Sequence, residues 1–321
     1  MNEDWFRAFA RAALVPACVL FLAAPRCGAQ ESKTLGFGDW FTFAANFPDA
    51  GYRQTQYFQP HYDMGLVEWD SRAEFWLPPS RKAFSWGLYA RFAGIAASKT
   101  AAFPNAWLSV PGVGFQMYPL SFARFRSPNS TAGKVLGPLR FFAEYNRVHF
   151  WGAENAWRPK KQSRIGFEYW KAINVNNTDK AFWLENWNGA YWQSSNEFTD
   201  QYHAIILASS WRSGVRAPKK GALSTISPYI AIQTSHTKYD YRGACFLGAD
   251  QCDFYWENRL LVGGGLRFAP PLSANRRWLN RFVIYGEYFT TARYYGPSAP
   301  SYVPRFDVLI GISASLGQWY R

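Results

Sequence analysis

Beyond residue 30 the chain has no run of about 18 apolar residues, which excludes a helical membrane protein. Sulfur is scarce, with 4 Cys and 3 Met in 321 residues, and mean hydropathy is −0.27. No Gly-rich phosphate loop, Walker motif or metal-ligand cluster is present, so no cofactor is expected. The four histidines, His61, His149, His203 and His236, are scattered. The His-x-Ser-Asn-Gly pattern of outer-membrane phospholipases is also absent.

Aromatic residues are abundant: 16 Trp, 19 Tyr and 27 Phe make up 19% of the chain. Tyr and Trp collect where a ring is half wet and half apolar, as at a membrane interface. Many aromatics without a long apolar run point to a barrel, because a closed sheet is the non-helical way to satisfy every backbone amide in lipid. The segment Phe306-Asp-Val308-Leu-Ile310-Gly-Ile312-Ser-Ala314-Ser-Leu316 carries the pattern most clearly. One parity is apolar and the other is mainly Asp, Gly and Ser, as for a strand with lipid on one side and water on the other.

Twelve strands are predicted, near 36–47, 65–77, 83–98, 113–125, 138–150, 162–173, 181–193, 200–212, 226–239, 257–268, 279–293 and 305–318. If 52–62 and 65–77 are both strands the count changes, so the range is ten to fourteen. The fold class is all-β, a transmembrane antiparallel up-and-down barrel. An even barrel with both termini in the periplasm puts connections 77–82, 126–137, 174–180, 213–225 and 269–278 on the periplasmic side. Connections 99–112, 151–161, 194–199, 240–256 and 294–304 then lie outside.

The N-terminus supplies a matching address. Arg7 and Arg11 precede an apolar run from Ala12 to Ala24, and small residues Gly28-Ala29 follow. This reads as a cleavable secretory signal over 1–29, leaving a barrel over 30–321 for the bacterial outer membrane. A retained anchor is disfavoured by Pro16 and by the shortness of the run. Outer-membrane lipid and the barrel-assembly machinery are the partners this implies, although the C-terminus Gln318-Trp-Tyr-Arg321 departs from the usual terminal aromatic.

Outside the leader only Cys245 and Cys252 remain, in one predicted outer loop. In an exported protein such a pair is most simply a disulfide, and two cysteines without a nearby His are too few for a closed zinc site. The formal net charge is +13. Nucleic acid is an improbable partner for an exported membrane protein. In one reading, Arg and Glu on lumen-facing positions pair to fill a narrow barrel, as Arg140 with Glu144, Arg164 with Glu168, and Arg281 with Glu287. In the other, unpaired lumen bases such as Arg267 and Lys238 line a path for anionic glycans or attract them to its mouth.

Catalysis has little support. Ser235 adjoins His236, but neighbours on a strand point to opposite faces. Asp240 with His236 is the sole local acid and base pair, and at a strand end both are ordinary polar residues.

Several runs over 113–321 carry a family resemblance: Gly114-Phe-Gln-Met-Tyr-Pro119-Leu, Leu139-Arg-Phe-Phe-Ala-Glu144-Tyr, Phe182-Trp-Leu-Glu185-Asn-Trp, Ser227-Pro-Tyr229, Asn258-Arg-Leu-Leu-Val-Gly-Gly264-Gly-Leu-Arg267 and Ile284-Tyr-Gly-Glu287-Tyr. This region resembles the C-terminal barrel of bacteriophage adsorption protein A and the barrels of exopolysaccharide secretion. The resemblance implies glycan passage across the outer membrane, with anionic polysaccharide, a secretion-system partner or a phage as partners. The helical repeats that precede the barrel in longer family members are missing here. The expectation is therefore a non-enzymatic barrel for exopolysaccharide export and phage reception. The alternatives are a diffusion channel for acidic oligosaccharides, a lipid-directed hydrolase or acyltransferase, and a closed structural barrel.

Overall fold

A computed structural model describes residues 41–55, 62–77, 85–97, 106–119, 137–151, 161–195, 202–241, 255–272, 279–295 and 306–317. The chain divides into a unit Met1–Gly36, which lies outside the described residues, and a unit Phe37–Arg321. The second unit contains β1 (Phe41–Thr55), β2 (Tyr62–Leu77), β3 (Ser85–Ala97), β4 (Ala106–Tyr118), β5 (Leu139–Arg147) and β6 (His149–Trp151). There follow β7 (Lys161–Ile173), β8 (Phe182–Ser195), β9 (Tyr202–Val215), β10 (Ile226–Tyr241), β11 (Tyr255–Phe268), β12 (Leu279–Tyr295) and β13 (Phe306–Gly317).

Each strand pairs antiparallel with its sequence neighbours, and β1 also pairs with β13, so the sheet closes on itself. β5 and β6 both pair with β4 and are separated only by Val148. They count as one interrupted strand, and the fold is a closed twelve-stranded antiparallel up-and-down barrel.

Alternation along the strands settles inside and outside. On β13, Asp307, Ser313 and Ser315 are buried, whereas Ile310 is 57% exposed. Leu88, Val113, Val215, Ile230 and Leu266 are exposed in the same way on other strands. An apolar wall around a charged interior inverts the arrangement of a water-soluble barrel and suits hydrocarbon outside.

Two strands depart from expectation, both at proline. β1 runs to Thr55 instead of ending at Phe47, because a register shift between Phe47 and Ala50 takes up Pro48-Asp49 as a bulge. A bulge is where a strand tolerates a residue without an N–H. The split of 52–62 from 65–77 does not occur. β4 begins at Ala106, not 113. Gly112 pairs with Asn146 and Ser109 with His149, so Val110 and Pro111 stand opposite Val148 and Arg147, in the interval where β5 gives way to β6. The missing donor and the ladder gap coincide.

One end of the barrel is closed over by its turns. Asn174 begins the β7–β8 turn with φ of 56°. Asn176 donates from Nδ2 to the carbonyls of Pro270 (3.0 Å) and Phe282 (2.9 Å), so this turn reaches across to β11 and β12. Arg216 Nη2 donates to the carbonyls of Asn174 and Val175. Burial pushes the Arg216 guanidinium below its ordinary pKa. Val175, Ala269 and Val283 form a small apolar cluster beneath.

Candidate functional site

The lumen is held by two carboxylate-centred clusters that share one design. Tyr89 on β3, Gly114 on β4 and Glu144 on β5 lie in one register row. Tyr229 on β10, Gly265 on β11 and Glu287 on β12 lie in another. In each, a tyrosine reaches over a glycine strand to the glutamate, at 2.7 Å for Tyr89 and 2.8 Å for Tyr229. A Cβ at Gly114 would come within 2.4 Å of the Tyr89 ring, so the bridge requires glycine between its ends.

Arginines complete both clusters. Glu144 accepts from Arg91 (3.1 Å), from Asn146 (2.9 Å) and from Arg164 through Nε (2.6 Å). Arg91 also holds Asp70, which Arg72 shares. Glu287 is clasped by Arg212 through Nε and Nη2. Glu185 takes both Arg281 and Arg267, at 2.6 and 3.3 Å. Arg267 lies 3.8 Å over the Trp183 ring. The indole in turn donates to Ser227 Oγ at 2.6 Å and meets Tyr229 edge-on at 5.4 Å.

The expected pairings are therefore exchanged. Arg140 bonds Glu168, its direct cross-strand partner, and Gln116 rather than Glu144. Arg164 faces Glu144 rather than Glu168. Four residues along a strand span roughly 13 Å, too far for the intrastrand pairs, whereas opposed residues on adjacent strands meet. Arg281, six residues from Glu287 along β12, instead reaches across the lumen to Glu185 on β8. Arg267 carries an ion pair instead of standing alone. Lys238 falls on the outward parity of β10, with Ile230 and Ile232, and so does not line the lumen. Cys245 and Cys252 lie outside the described residues.

Sequence reasoning missed Asp70, Arg91, Arg212 and Glu185. Arg91 lies between Ala90 and Phe92, a readable parity, whereas Asp70, Arg212 and Glu185 each have an apolar residue on one side only. Eight arginines (Arg53, Arg72, Arg91, Arg140, Arg164, Arg212, Arg267, Arg281) pair with six carboxylates among the described residues. Unpaired basic charge does not dominate this interior.

Between the clusters lies a cavity of about 560 Å³, bordered by Arg72, Trp170, Trp187, Arg212, Tyr229, Arg267, Tyr285 and Glu287. On β10, Ser235 and His236 diverge by parity, and His236 Nδ1 meets Asn258 Oδ1. His236 and Asp240 are four residues apart on one strand, again roughly 13 Å.

No protein-family model matches the sequence, and neither does any curated protein. Among solved structures, the chain is similar to the β domain of the Bordetella autotransporter BrkA, at 11% identity and a TM-score of 0.42, over 88% of this chain and 100% of that one. It is also similar to the COG4313 outer membrane channel from Pseudomonas putida F1, at 9% identity and a TM-score of 0.41, over 91% and 99%. The translocator domain of the autotransporter NalP from Neisseria meningitidis aligns at 9% identity and a TM-score of 0.38, over 96% and 97%. The barrel is read from its own closed strand pairing, not from these distant likenesses.

Proposed function

We propose that this chain is a non-enzymatic outer-membrane barrel that passes glycans through a narrow lumen braced by ion pairs. The lumen cavity carries the reading, because Trp170, Trp187, Tyr229 and Tyr285 border it together with arginines and carboxylates. Flat aromatic rings suit the apolar faces of sugars, and fixed charged groups suit their hydroxyls. The near balance of lumen charge argues against a passage that gathers polyanions through a broad positive field. The closed-over end, with turns 174–181 and 216–225, faces the periplasm in this reading. Exopolysaccharide as the cargo, and a phage as a user of the outer loops, are added by the resemblance to adsorption protein A.

Single-channel conductance of the refolded chain in a planar bilayer tests this, with neutral and acidic oligosaccharides added to one side. Steady conductance that sugar interrupts is the expected result. A second reading, a plugged structural barrel, draws on the complete burial of Arg140 and on the turn packed over one end. Silence from protein shown to be folded by heat-modifiable gel mobility would overturn the passage and favour the plug.

A further inference from the structure

Arginines in this lumen hold carboxylates in a recurrent way, side-on through Nε and Nη2. Arg53 takes Asp307 so, at 3.0 and 2.7 Å. Arg281 takes Glu185 so, at 2.6 and 3.1 Å, and Arg212 takes Glu287 through the same two atoms. Arg267 differs. Its Nη1 is committed to Glu185, and one face of its guanidinium lies on Trp183. Its Nε and Nη2 are buried without a hydrogen-bond partner among the described residues, and the residue is 2% exposed.

Two donors in a rigid fork thus stand unsatisfied on a residue that borders the lumen cavity. Burying such donors unsatisfied is costly, roughly 1–3 kcal/mol per group and more where charged, which favours any acceptor that arrives there. The local charge agrees, since Glu185 alone serves both Arg267 and Arg281, so two cations share one anion. A planar pair of oxygens bearing one negative charge matches both the fork and the deficit. Tyr229 and Tyr285 border the same cavity and offer ring surface to whatever carries that group.

We propose that Arg267 is the anchor of a binding site for the carboxylate of an acidic sugar, a uronic acid, within the lumen. The site rests on the glycan reading above and narrows it: one carboxylate is recognised in a passage whose overall charge is near balance. Trp183 and Ser227 are positioning residues that hold the guanidinium flat. Gly214 permits this, because a Cβ there would come within 2.8 Å of the Trp183 ring.

Calorimetric titration of the refolded full chain in detergent tests it, with D-galacturonate, its methyl ester and D-galactose as probes. The acid is expected to bind at least about 10-fold more tightly than the ester or the neutral sugar, the ratio typical of a charged bidentate contact. Arg267→Gln is expected to abolish that preference. Arg267→Lys, which keeps the charge without the fork, loses most of it. Lys238→Gln, on the outward parity, leaves it intact. Equal binding of acid, ester and galactose to the unaltered chain overturns the site even if the Arg267 variants do not fold. So does an acid preference that survives Arg267→Gln. If neutral oligosaccharides interrupt conductance while the acid shows no preference, the glycan passage stands and this site falls. If the folded barrel is silent but the acid binds through Arg267, the reverse holds.

Discussion

Exchange of partners around Glu144 makes the most exacting prediction. Glu144 is 6% exposed, and its carboxylate accepts from Tyr89, Arg91, Asn146 and Arg164. Glu144→Ala strands Arg164, while Arg91 keeps Asp70. Removing one partner of a buried pair costs about 3–5 kcal/mol, and an unsatisfied Tyr89 hydroxyl adds about 1–3 kcal/mol. A cavity of 210 Å³ beside Arg91, Arg140 and Arg164 lets water offset part of this, so about 3–5 kcal/mol is the expected total. Guanidinium unfolding in lipid vesicles measures it. A double-mutant cycle then locates the pairing: Glu144→Ala with Arg164→Met should show coupling of about 2–3 kcal/mol, and with Arg140→Met under about 1 kcal/mol. Stronger coupling to Arg140 than to Arg164 would refute the β5–β7 register and the site built on it.

Tyr89→Phe and Tyr229→Phe should each cost about 1 kcal/mol, and the double variant should cost their sum, because the two hydroxyls serve different glutamates. Clear non-additivity in the same unfolding assay would show one network instead of two. Gly214→Ala puts a Cβ 2.5 Å from the Pro228 carbonyl oxygen as well as against Trp183. It is expected to lower stability by about 1–3 kcal/mol, and unchanged unfolding would contradict the packing described. Asn176→Ala removes two hydrogen bonds that tie the β7–β8 turn to the far side of the mouth, about 1–2 kcal/mol in all. Limited proteolysis should then cut within 174–181 about 10-fold faster, and an unchanged rate would mean that the turn is held by something else.

Parity was legible because the side-chain period of a strand is two and the solvents on the two faces differ. It identified β13 from Phe306 to Leu316 residue by residue, and it marked Arg140, Glu144, Arg164, Glu168, Arg267, Arg281 and Glu287 as inward. The predicted limits at 47 and 113 stop short of two prolines. Pro48 and Pro111 each lie within a strand, at a bulge and at a ladder gap, and neither accommodation shows in one strand's own sequence.

The sequence by itself determined the fold class, most of the strand segments and the lumen parity of the strands that carry Arg140, Arg164, Arg267 and Arg281, since these depend on local alternation and on turn residues. Partner choice it misassigned, because the three ion pairs expected each lay along one strand, whereas these arginines meet carboxylates one to four strands away. Register alone brings Tyr89 over Gly114 to Glu144, and Tyr229 over Gly265 to Glu287. Closure of the barrel alone brings Glu185 on β8 to Arg281 on β12, and Arg53 near the start of the barrel to Asp307 near its end. The free edge of Arg267 is likewise a product of tertiary structure: it exists because Glu185 is shared, and sharing is decided only when distant strands enclose a common space.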